Sequence, residues 1–185
     1  MTWFEVLTGF RETSPDQVRE NIAVNGDTLT SLVNRKTFAF GRLETPSLGE
    51  LRKRVASSGH KIGKLSLREV VGDVTALHAD ESNTGGLFQV ASQFNLLEMT
   101  GPDMTPEMGV GGYENDHTQG PACAITAGAG TIYRNYFAVV NGQVGQSSNN
   151  QIDCLADLGS ALDNSGQRLW KMRNGYAIPT EPGLI

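Results

Sequence analysis

The chain has little cysteine, few aromatic residues and no long apolar run. Of its 185 residues, two are cysteine, Cys123 and Cys154, and 7% are aromatic. So few cysteines exclude a dense disulfide framework and fit a reducing compartment, though one disulfide stays open. The apolar runs fall far short of the ~20 residues a membrane span needs. The start, Met1-Thr2-Trp3-Phe4-Glu5, lacks a basic stretch followed by an apolar one, so no secretory signal is read there. These absences point to the cytoplasm and away from a membrane. A basic excess is lacking too. With 20 acidic against 15 basic residues the net charge is −5, which leaves no footprint for wrapping nucleic acid. The cluster Arg52-Lys53-Arg54 reads as a solvated helix face. His60, His78 and His117 are widely scattered, and CxxC and HExxH are missing, so neither a zinc site nor a cofactor is expected. Ser92, Ser147 and Ser148 lack the setting of a hydrolase nucleophile.

Glycine is what the chain has in excess: 22 residues, about 12% against a usual 7%. Many lie between Gly85 and Gly145. They serve either tight turns or a backbone surface that a ligand approaches closely. The remaining balance, 38% hydrophobic and 19% charged, is that of a globular protein. The length suits one domain with a real core.

Two helix starts are well marked. Ser14-Pro15-Asp16-Gln17 has a cap residue, then proline, then Gln three residues after the cap. Ser47-Leu48-Gly49-Glu50 repeats the box spacing and leads into Leu51 and Val55 on one face. Between them, Asn25-Gly26-Asp27 reads as a turn, with short strands over 28–33 and 36–40. Residues 1–60 thus form a small α+β lead-in. Farther on, 64–71 alternates as a strand, 74–80 makes one or two helical turns, and 87–94 is an apolar strand. Thr105-Pro106-Glu107 starts a helix, and 118–127 suggests another of small residues. The pattern predicts a strand over 131–140 with a turn at Asn141-Gly142, then an amphipathic helix over 151–162. A final hairpin is expected around Asn174-Gly175.

Three segments could carry chemistry. In Gly72-Asp73-Val74-Thr75 the carboxylate either caps the helix that follows or accepts from an amino group of a base-like ligand. The strand ending at Ser92-Gln93-Phe94-Asn95 delivers amide side chains. These suit ribose hydroxyls or satisfy loop backbone. The segment Gly109-Val110-Gly111-Gly112-Tyr113-Glu114-Asn115-Asp116-His117-Thr118-Gln119-Gly120-Pro121 joins glycines to carboxylates and a helix start. Its amides could hold phosphate. Glu114 and Asp116, two apart in an extended stretch, could do acid–base work. A hydrated loop is the plain alternative. Cys123 reads as a small buried hydrophobe. Tyr133, Tyr136 and Phe137 read as packing.

In that order these segments resemble the macrodomain fold and its poly(ADP-ribose) glycohydrolase relatives. The group's pattern is a strand, Gly-Asp-[Ile/Val]-Thr, a short helix, and a strand ending in an asparagine-containing loop. A glycine-rich loop and a helix of small residues follow. Here the parts are Gly72-Asp73-Val74-Thr75, then 89–95, then 109–112, then 121–127. The likeness spans about sixty residues. In place of the family's Asn-Ala-Ala-Asn stands Ala91-Ser92-Gln93-Phe94-Asn95, and its Gly-Gly-Gly-Val is reduced to Gly109-Val110-Gly111-Gly112. The wording Phe88-Gln89-Val90-Ala91-Ser92-Gln93-Phe94-Asn95, with Thr118-Gln119-Gly120-Pro121-Ala122-Cys123-Ala124, is also similar to a group of longer, uncharacterised microbial proteins.

The resemblance implies an α/β fold, a mixed sheet with flanking helices over 61–185 behind the lead-in, and ADP-ribose or a related nucleotide as partner. Asp73 would contact adenine, Asn95 the distal ribose, and Gly109, Val110, Gly111 and Gly112 the diphosphate. Gln93, Thr118 and Gln119 would complete the ligand contacts. Asn95, Glu114 and Asp116 would serve hydrolysis of an ADP-ribosyl bond. The second glycine-rich loop of macrodomains has no clear counterpart after Gly145. The chain then reads as a fragment, half of a split protein, or a reduced version whose site is open or completed by a second chain. Two other readings stand beside this one. One is an enzyme for another nucleotide or a small amide, acting through 115–119. The other is a non-catalytic structural or interaction module.

Overall fold

Three helices begin where Thr or Ser caps them. The computed structural model of the chain describes residues 1–59, 63–72, 74–87, 93–97, 99, 101–115 and 128–180. Helix α1 (Trp3–Thr8) is capped by Thr2, whose hydroxyl accepts from Glu5 N at 3.3 Å while Glu5 Oε2 accepts from Thr2 N at 2.7 Å. This reciprocal pair satisfies two donors that a helix start leaves orphaned. Ser14 caps α2 (Pro15–Asn21) through Gln17 N at 3.2 Å. Ser47 and Glu50 form the box again at α3 (Leu48–Ser57). The last two starts match the sequence pattern; α1 is an addition to it.

Strands β1 (Ile22–Asn25), β2 (Thr28–Ser31) and β3 (Thr37–Ala39) form an antiparallel sheet in that order. Leu29 pairs with Val24 on one side and Phe38 on the other. Both later hairpins fall where the Asn-Gly pairs place them. β4 (Val139–Val140) and β5 (Gln143–Val144) flank Asn141-Gly142; β6 (Trp170–Arg173) and β7 (Tyr176–Pro179) flank Asn174-Gly175. In each turn both central residues have positive φ, which Asn and Gly tolerate best. Helix α4 (Val74–Ala79) supplies the expected turns after Gly72, and Pro106–Met108 makes one 3₁₀ turn after Thr105. The chain is therefore mixed α/β, with small antiparallel sheets and several helices. No helix among the described residues is long and apolar enough to cross a membrane.

Four expectations need correction. Among the described residues the strands form three separate antiparallel sheets rather than one mixed sheet. Residues 64–71 have no regular secondary structure, and Leu65 and Leu67 are 85% and 88% exposed. Alternation makes a strand only where a neighbour takes up the ladder. Residues 129–136 are a helix, α5 (Ala129–Tyr136), not a strand. Its β-branched and aromatic residues suggested extended chain, but Ala129, Ile132 and Tyr136 share one buried helical face. The helix expected over 151–162 shrinks to α6 (Ala156–Ala161), because the residues before it are held in loop hydrogen bonds. The expected strand over 87–94 and helix over 118–127 lie mostly outside the described residues.

One core serves both ends of this architecture. Phe4, Val18, Ile22 and Leu29 pack with Leu97, Met99, Val110, Ile132 and Tyr136 in a single buried cluster. Burying each large apolar side chain contributes roughly 1.5–3 kcal/mol. The lead-in thus shares its core with Leu97, Met99, Val110, Ile132 and Tyr136, and it meets the glycine-rich loop directly.

Candidate functional site

The loop after Pro106–Met108 is shaped by Gly109, whose φ of +89° is a conformation glycine adopts at no steric cost. Beyond it the chain enters a 3₁₀ turn, Gly111–Asn115. The amides of Val110 and Gly111 converge on one carboxylate, that of Glu12. Val110 N donates to both of its oxygens at 3.0 Å, and Gly111 N donates to Oε2 at 2.8 Å. The Tyr136 hydroxyl also donates to Glu12 Oε1. Trp3 clamps the same loop: its Nε1 donates to the Val110 carbonyl at 3.1 Å, and its backbone N donates to Glu114 Oε2 at 3.2 Å. Gly109, Val110 and Gly111 are buried, whereas Gly112 and Glu114 are exposed. Tyr136 is 1% exposed. Burial first, then the adjacent Glu12 carboxylate, holds its hydroxyl far above the ordinary tyrosine range.

Gln93 and Asn95 belong to a second cluster, built from amide side chains. Gln93 Nε2 donates to the Met99 carbonyl at 2.5 Å and to the Tyr176 hydroxyl at 2.6 Å, while its Oε1 accepts from Met99 N at 3.1 Å. Asn95 is fully buried. Its Nδ2 donates to Gln151 Oε1 at 2.8 Å, and its Oδ1 accepts from Leu97 N at 3.0 Å. Gln146 Nε2 donates to the carbonyls of Asn95 and Arg134 at 2.9 and 3.0 Å. Gln151 Nε2 passes the chain on to Asn174 Oδ1 at 3.0 Å, and Asn174 Nδ2 donates to the Pro102 carbonyl at 2.8 Å. Four stretches of chain are tied together in this way. Glycine is required at 175, where φ is +78° and a Cβ would collide with the Asn95 side chain.

No family model matches the chain, and no curated protein or solved structure matches it. The geometry alone therefore carries the functional reading.

Of the residues singled out in the sequence, the structure places Gly109, Val110, Gly111, Gly112 and Glu114 on one loop. Gln93 and Asn95 lie in the amide cluster. Asp73, Asp116, Thr118 and Gln119 lie outside the described residues, as do Ser92, His117 and Cys123. The sequence reading missed Glu12, which meets the loop from more than ninety residues away, and the bond that Tyr136, read as packing, makes to it. It also missed Gln146, Gln151 and Asn174. The amide-rich run over 141–151 was the available signal for two of these; Glu12 had none. Two open clefts, of about 480 and 520 Å³, share Asp153 and Ala156 in their linings. Asp153, Asp163, Asn164 and Trp170 line the first, and Pro46, Glu50, Val140 and Asp157 the second. Neither is lined by Gln93, Asn95, Glu114 or residues 109–112. Among the described residues no group of three His, Cys, Asp or Glu could hold a metal ion.

Proposed function

We propose that this chain binds ADP-ribose or a related nucleotide, with the 109–112 loop receiving the diphosphate, as the order of its sequence motifs implies. One observation carries the reading: consecutive backbone amides of this loop already chelate an anion, the Glu12 carboxylate. Such amides serve phosphate oxygens equally well. A diphosphate would take the seat in place of Glu12. Hydrolysis of an ADP-ribosyl bond needs a carboxylate to deprotonate water. Glu114, exposed on the same loop, is offered for that step with Asp116. The proposal includes a cytoplasmic location, where both cysteines stay reduced.

Calorimetry and thermal shift with ADP-ribose, run on the wild type and on Glu12→Ala, test it. Binding is expected in both, tighter in the variant because an internal competitor is gone. Ribose 5-phosphate should bind more weakly than ADP-ribose. Neither heat nor shift at millimolar ligand in either protein would sink the reading.

A second reading, a non-catalytic interaction module, is favoured by the burial of Gln93 and Asn95. Their amide atoms bond within the chain, which leaves little to offer a ribose. It predicts that Asn95→Ala lowers stability and that no nucleotide binds.

A further inference from the structure

Charge along this chain is segregated. Residues 52–68 hold six basic residues and no acidic one, whereas residues 69–167 hold twelve acidic residues and one basic, Arg134. Two helices display the two signs, and neither has a buried residue. On α3, Leu48, Leu51 and Val55 share one face by their spacing. They are 54%, 41% and 69% exposed. Arg52 adjoins that face, and among the described residues neither it nor Lys53 forms an ion pair, while Arg54 is held by Glu44. On α6 the arrangement is complementary. Leu158 and Leu162, the latter at its C-terminal end, are 42% and 47% exposed, and the exposed Asp153, Asp157 and Asp163 neighbour them along the chain.

The start of α3 lies beside α6. Leu48 N donates to Asp157 Oδ2 at 3.4 Å, and the 520 Å³ cleft separates the start of α3 from residues 151–157. We infer that two copies of this chain pair through these helices, α3 of each against α6 of the other. A two-fold axis brings each patch onto its complement in one self-complementary interface. Apolar stripes then cover one another, and the basic rim meets the acidic one. An anionic membrane fits worse, because it would press like charge against Asp153, Asp157 and Asp163. A purely acidic partner would leave Leu158 and Leu162 uncovered.

The full chain is tested by sedimentation equilibrium at about 1–100 μM. The wild type should sediment at twice the monomer mass, and added salt should weaken the pairing. The double variant Arg52→Glu, Lys53→Glu should weaken it at least tenfold, and so should Asp157→Lys. All three positions are exposed, and circular dichroism checks that each variant stays folded. Combining the three substitutions in one chain re-creates opposite charges across the axis, so pairing should return to near the wild-type constant. A monomeric wild type throughout this range overturns the inference, even if the chain then binds anionic vesicles. A dimer indifferent to the α3 reversals, or a combined variant no better than the single-sided ones, overturns it as well.

Discussion

Glu12 sits half-buried, where two loop amides and the Tyr136 hydroxyl all donate to one carboxylate. Hydrogen bonds to a charged group contribute about 1.5–3 kcal/mol each. Tyr136 is therefore tied to the pH dependence of stability. Its folded-state pKa lies above the unfolded value, so the folded chain keeps the proton after the unfolded chain has lost it. This contribution is complete below pH ~10 and declines as the pH rises beyond, by about 1.4 kcal/mol per pH unit. Urea unfolding at pH 8, 10 and 11 should show this alkaline loss in the wild type. In Tyr136→Phe it should be smaller by that slope; equal slopes in both proteins would refute the assignment. Gly175 gives a second residue-scale prediction. Alanine there must hold a φ of +78° and collide with Asn95. Gly175→Ala should cost more than about 1 kcal/mol, read from the shift of the urea midpoint.

At the scale of elements, burial separates two helices whose backbones look alike. Both α3 and α5 are regular helices, but α5 buries Ile132 and Tyr136 while α3 buries nothing. Packing rather than propensity supplies most helix stability in proteins. Amide exchange should therefore be at least about 100-fold faster in α3 than in α5, with α5 exchanging only on near-global opening. Comparable protection in the two would contradict this, unless the chain is paired as inferred above; dilution below the pairing constant distinguishes the cases. The caps are also element-scale devices. Ser14→Ala removes the acceptor for Gln17 N and should lower stability by about 1 kcal/mol.

For the whole molecule, the core cluster among the described residues makes the helix at Trp3–Thr8 a structural necessity. Phe4 is fully buried and meets Phe10 edge-to-face at 5.3 Å. It lies in the cluster that also holds Val110 and Ile132. Phe4→Ala should cost about 3–5 kcal/mol in denaturant unfolding. If nucleotide binding is present, that variant should lose it in parallel, because the lead-in and the glycine-rich loop share one core.

Local chemistry decided a good part of this protein. Ser14, Ser47 and the three Asn-Gly or Asn-Gly-Asp turns act over four residues or fewer, so their helices and hairpins were legible in the chain itself. The glycine-rich loop was legible as an anion-binding backbone for the same reason. What occupies its amides was not: Glu12 lies 98 residues from Val110, and only the shared core brings them together. The hydrogen-bond partners of Gln93 and Asn95 were likewise set by tertiary packing, Tyr176 lying 83 residues from Gln93 and Gln151 56 residues from Asn95. The helix at 129–136 escaped the sequence reading because β-branched and aromatic residues favour strands until tertiary burial selects a face. An amide or a carboxylate announces that it will form hydrogen bonds; which partner it finds, inside or outside the chain, is decided by packing.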